Sequence, residues 1–110
     1  MQTSQVLDAL SALAQPTRLA AFRALVQAGP DGLAVGALRE RLDGVAAATL
    51  SAHLNVLRRA GLVADAREGR TIHVSARFAQ VDALIAYLTE NCCAGAACEA
   101  SPRRCESPRP

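Results

Sequence analysis

TLSAHLNVLRRAGLV, residues 49–63, is the stretch on which the fold turns. Leu50, Leu54 and Leu57 recur at the i, i+4, i+7 spacing of one helix face, so the leucines point inward and the polar residues between them point out. Gly61 stands where a helix C′ glycine belongs, and Arg58 and Arg59 precede it near the negative end of the helix dipole. Read back to Val45, this is the longest helical run in the chain. Beyond the glycine lie two extended pieces, residues 62–68 and 70–76, joined around Glu68-Gly69. Alternation across Thr71, Ile72, His73 and Val74 fits a hairpin strand.

On the N-terminal side, Leu33, Val35, Leu38 and Leu42 fit a short helix that ends at Asp43-Gly44. Before it, residues 16–28 read as a helix with Leu19, Phe22, Leu25 and Val26 as its stripe. Pro16 opens it and Gly29-Pro30-Asp31-Gly32 closes it, with Gln15 biased away from the α region by the proline. Val6, Leu10 and Leu13 mark a first helix. Val81, Leu84, Ile85 and Leu88 mark a last one, after the hairpin. The order helix, helix, short helix, long helix, hairpin, helix predicts a mainly α winged helix-turn-helix. Residues 46–59 are then the recognition helix, sized for a major groove, and residues 62–75 the wing.

The residues in those parts suit DNA. Between residues 45 and 77, Arg58, Arg59, Arg67, Arg70 and Arg77 face only Asp65 and Glu68, a local excess over a chain whose net charge is just +2. Affinity follows phosphates neutralised, so the local excess matters more than the total. Thr49, Ser51, Ala52, His53 and Asn55 are the candidate contacts on the helix, hydroxyls and a neutral His or Asn being able to meet phosphates or base edges. Arg67 and Arg70 flank the wing turn. A competing reading is a winged module that binds only protein, since the helix carries no Arg or Gln in its first turns. His73 reads as a partly exposed strand residue, and His53 lacks the second His at i+4 that a metal pair would need.

Aromatic residues are 3% of the chain and Trp is absent, which argues against recognition by base stacking. No catalytic constellation or Gly-rich phosphate loop stands out, so an enzyme is not expected. Without a bilayer-length apolar run or a signal-peptide pattern at the N-terminus, the expectation is a cytoplasmic protein with no membrane partner. A single domain of 110 residues has a modest core, which makes oligomerisation an expectation.

All four cysteines, Cys92, Cys93, Cys98 and Cys105, follow the last helix in a tail rich in Ala, Pro and Arg. Residues 1–90 therefore read as the DNA-binding and dimerisation domain, and residues 91–110 as a separate thiol-bearing tail. Clustered thiols offer sulfur ligands that select thiophilic ions over magnesium, calcium or manganese. Trivalent arsenic and antimony favour three thiolates in a trigonal pyramid. Cys92, Cys93 and Cys98, spanning a flexible Ala-Gly-Ala-Ala link, can converge on one ion, with Cys105 a possible fourth ligand or substitute. A four-Cys zinc site, a cadmium site, a disulfide switch among Cys93, Cys98 and Cys105, and a tail without function are the alternatives.

LAQPTRLAAFRAL, TLSAHLNVLRRAGLV and AREGRTIHV together resemble the ArsR/SmtB family of metal-responsive bacterial repressors, across about residues 5–90. The resemblance implies an obligate homodimer paired through its first and last helices, bound to an imperfectly palindromic double-stranded operator. It also implies an inducer that releases the DNA. Ala34-Val35-Gly36 stands where the family's arsenic-type Cys-Val-Cys would be. Leu84 stands where its zinc-type site would place a His after Asp82. The Cys-Cys-x4-Cys tail is similar to the C-terminal arsenite site of one branch, which makes As(III) or Sb(III) the expected ligand.

Overall fold

The structure, a computed structural model, describes residues 1–95. Helices α1 (Thr3–Leu13), α2 (Pro16–Ala28), α3 (Val35–Arg41), α4 (Ala47–Arg59) and α5 (Phe78–Thr89) surround a small sheet of β1 (Leu33–Ala34), β2 (Val63–Glu68) and β3 (Thr71–Ala76). A single 3₁₀ turn, Cys92–Gly95, follows α5. This is the winged helix-turn-helix expected from the sequence, with α3 and α4 as the helical pair and β2–β3 as the wing.

Local chemistry sets the boundaries. Gln15 is extended (φ −150°, ψ 131°), as its place before Pro16 requires, and its side chain accepts the Arg18 backbone N–H as the cap of α2. At the end of α4, Gly61 takes φ +78°. There the Leu62 N–H donates to Leu57 O at 3.0 Å and the Gly61 N–H to Arg58 O at 3.0 Å, the paired bonds of a Schellman stop. The stop turns the chain so that Leu62 and Val63 enter the core as β2 begins.

The sequence placed residues 33–42 in one short helix, but Leu33 and Ala34 form a strand instead, paired antiparallel with Val74 and His73. The sheet order is β1-β3-β2, so the hairpin gains a third member. The physical cause is the φ +70° turn at Gly32, which brings the chain so close to the Val74 carbonyl that a Cβ would collide with it. Leu33 and Ala34 satisfy their backbone groups across the sheet, and α3 starts one residue later.

Leu25, Leu38, Leu50, Leu54, Leu57, Leu62 and Val74 are the largest fully buried side chains. All three leucines of the α4 stripe lie inside, as their spacing predicts, each stabilising the fold by about 1.5–3 kcal/mol. The first helix differs. Val6 is buried with Ala9 and Ala12, whereas Leu7 and Leu10 face outward. Alanines repeat there at the same helical period as the leucines, and the small face is the one that lets helices approach closely. On α2 the inward residues are Ala21, Phe22, Ala24 and Leu25, leaving Leu19 and Val26 exposed.

Candidate nucleic-acid interface and thiol segment

The interface is built around α4. With Leu50, Leu54 and Leu57 anchored in the core, the opposite side of the helix carries Ser51, Ala52, Asn55 and Arg59, all exposed, and Thr49 is exposed in the first turn. The turn before it contains Asp43 (φ +55°) and Gly44 (φ +82°), a left-handed pair that reverses the chain between α3 and α4. Arg39 on α3 donates from Nε to Val45 O at 3.0 Å and pins the approach to the helix. No side chain caps its N-terminus, where Ala46 is the N-cap residue. The first backbone N–H groups are therefore open to an anionic oxygen.

His53 sits on the flank of α4 and is half-buried. Its Nδ1 lies 3.2 Å from an Arg18 guanidinium nitrogen, and Arg18 Nε donates to Ala12 O at 2.6 Å. Sequence reasoning marked His53 and missed Arg18, which is 35 residues away in the chain. Nothing in the sequence separates Arg18 from Arg23, the other cation of the same helix, so the pairing had no signal there. Asn55 is also engaged: its Oδ1 accepts from Arg58 at 2.8 Å, so its amide N–H groups remain to donate outward. Arg58 in turn pairs with Asp65 on β2 at 3.1 Å. Helix and wing are thereby tied at the base of the wing.

The wing is a tight hairpin, with Arg67 facing Ile72 and Glu68 facing Thr71 in register. Gly69 (φ +65°) and Arg70 form its two-residue turn, and the positive φ at the first of them gives the II′ twist that suits antiparallel strands. Arg67 and Arg70 are exposed. Among the described residues Asp65 is the one acid in an ion pair, so Arg59, Arg67, Arg70 and Arg77 keep their charges unpaired. His73 is half-buried on β3, as expected for a strand residue.

Cys92 and Cys93 are exposed in the 3₁₀ turn that begins three residues after the end of α5. Glu90 leaves α5 in an extended conformation (φ −64°, ψ 141°), and Asn91 (φ +57°) and Cys93 (φ +58°) are left-handed in the turn that carries the two thiols. Their sulfurs are 4.0 Å apart. That is less than twice a metal–thiolate bond of about 2.3 Å, so one ion can bridge both. Cys98 and Cys105 lie outside the described residues. No cluster of three ligating side chains occurs among the described ones.

Against this geometry the comparisons with known proteins are consistent. A family model described as a helix-turn-helix domain matches residues 13–65, which spans α2, α3 and α4. A comparison with curated proteins gave no match. Among solved structures, an ArsR-like transcriptional regulator from Rhodococcus sp. RHA1 is 27% identical with a TM-score of 0.70, covering 84% of this chain and 82% of its own. The transcriptional repressor BigR from Xylella fastidiosa is 30% identical with a TM-score of 0.61, over 78% of this chain and 84% of its own. A homodimeric winged helix-turn-helix DNA-binding domain from Mycobacterium bovis, described as a possible ArsR-family regulator, is 27% identical with a TM-score of 0.61. The match covers 88% of this chain and 89% of that one. Among the described residues no helix is long and apolar enough to cross a membrane. Fold, interface and likeness agree: the chain belongs to the ArsR/SmtB family of winged helix-turn-helix, DNA-binding transcriptional regulators.

Proposed function

We propose that the chain is a homodimeric repressor that holds an imperfectly palindromic operator through α4 and the wing, and releases it on binding As(III) or Sb(III) through C-terminal thiolates. The observation that carries the DNA half is the open polar side of α4, continued by a wing whose Arg67 and Arg70 are unpaired among the described residues. Thr49, Ser51, Ala52 and Asn55 lie along the groove. His53 and the wing arginines meet the phosphates.

Dimer formation is supported by the apolar side chains that α1 and α5 leave outside. Leu7 is 60% exposed, Leu10 41%, Ile85 36% and Leu88 57%. The two helices are neighbours, joined by a 2.6 Å hydrogen bond between Thr3 Oγ1 and Tyr87 Oη. A second copy would cover this apolar surface and set two reading helices about one turn of DNA apart.

Support for the inducer is the chemistry of the donor set. Cys92 and Cys93 supply two sulfurs within reach of one ion, and Cys98 is the third ligand of the proposal, with Cys105 available as its substitute. The pair sits at the end of α5, so ligand binding there acts on a helix of the dimer interface. A hundredfold loss of operator affinity needs about 2.7 kcal/mol of coupling, and DNA must weaken ligand binding by the same factor.

Fluorescence anisotropy on operator DNA, with arsenite or antimonite titrated in, tests the reading. Wild type should release the DNA, and Cys92→Ser, Cys93→Ser and Cys98→Ser should stay bound. Release by zinc or by an oxidant alone, or release that survives all three substitutions, refutes the inducer assignment.

A further inference from the structure

We propose that Arg18 is a positioning residue for DNA recognition: it locks His53 in the tautomer whose single proton, on Nε2, is offered to a backbone phosphate oxygen. The inference deepens the DNA-binding reading and rests on it.

Arg18 is held at both its side chain and its backbone. Its Nε donates to Ala12 O at 2.6 Å, one of the last four carbonyls of α1, which have no partner inside that helix. Its backbone N–H is held by the Gln15 cap at 2.8 Å, which fixes the first turn of α2. The terminal nitrogen then reaches His53 Nδ1 at 3.2 Å. Arginine has only donors, so Nδ1 can join this bond solely through its lone pair. The imidazole proton must therefore sit on Nε2. The Nδ1–H tautomer would set N–H against N–H.

Among the described residues Nε2 has no hydrogen-bond partner. It is a donor on a half-buried ring, on a helix whose outward side is open. His53 is one residue from the core-facing Leu54 and one from the outward Ala52, which places it about a quarter turn from either line of the helix. With α4 in a major groove, the outermost side chains meet base edges and the flank meets the sugar–phosphate wall. A neutral N–H donor suits a phosphate oxygen. The Arg18 charge immediately behind the ring favours an anion there as well.

Two measurements test the proposal. Imidazole ¹H–¹⁵N correlation spectra of the free wild-type protein should show His53 protonated on Nε2 alone, and Arg18→Met should give a mixture of tautomers. In operator titrations His53→Ala should weaken binding about tenfold, the scale of one hydrogen bond to a charged group, without changing the salt slope, since no cation is lost. His53→Gln, which keeps an amide donor, should restore much of that affinity. Arg18→Met should cost less in the His53→Ala background than in wild type. A proton on Nδ1 in the free protein, or fully additive losses, overturns the proposal. Absence of operator binding by wild type would refute the DNA-binding reading and remove the phosphate contact with it. The tautomer spectra of the free protein do not depend on that result.

Discussion

Leu54 and Gly32 show how differently two residues can be essential. Leu54 is 1% exposed at the centre of the α4 stripe, and its truncation to Ala should cost about 2–5 kcal/mol, read as a lower denaturant midpoint with an unchanged m-value. Its role was legible, because Leu50, Leu54 and Leu57 are the largest apolar residues on α4 and share one helical face. Gly32 was legible only as part of a breaker cluster. Its positive φ and its contact with the Val74 carbonyl need the tertiary structure. Gly32→Ala should destabilise by more than about 2 kcal/mol, whereas Gly69→Asn should cost less, since no atom crowds that position and only the positive φ is strained. Arg18 and His53 belong at this scale too. Their contact spans two helices and has no periodic signature, so the sequence could offer the histidine and not its partner.

At the scale of elements, the periodic helices were readable and the short strand was not. Two residues of β1 carry no alternation to detect, and Leu33 fits a helical stripe as well as it fits a sheet edge. Periodicity also failed to choose a face on α1, where alanines and leucines recur together and packing selects the smaller set. The wing was legible because Gly69 lies between alternating segments. Its link to α4 was not, since Arg58 and Asp65 meet only after the Schellman stop has turned the chain. That exposed pair contributes little stability, of order 0–1 kcal/mol. Asp65→Asn should leave thermal stability nearly unchanged while raising DNA affinity and steepening the salt dependence, because it frees the Arg58 charge. Arg67→Ala combined with Arg70→Ala should act oppositely, lowering affinity for all sequences and making the log–log salt slope shallower by up to about two units. A salt titration of each variant on specific and unrelated duplexes separates these effects from base reading.

For the whole molecule, the apolar side chains outside α1 and α5 are what a monomer would leave without use, and they motivate the dimer. Leu88→Glu should shift the protein toward monomer in analytical ultracentrifugation and weaken operator binding far more than it weakens the fold, because each half-site alone is a poor target. The thiol tail was visible in sequence as a cluster of four cysteines, yet only Cys92 and Cys93 fall among the described residues, so ligand chemistry carries the inducer proposal. In the proposed function two copies of this chain read one DNA site through α4. Selecting duplexes from a random library and titrating the best of them at moderate salt tests it most directly. The expected result is an enriched, imperfectly palindromic sequence, two chains bound per duplex, and affinity about a thousandfold or more above unrelated DNA. No enriched sequence, or equal affinity for unrelated DNA, would contradict it.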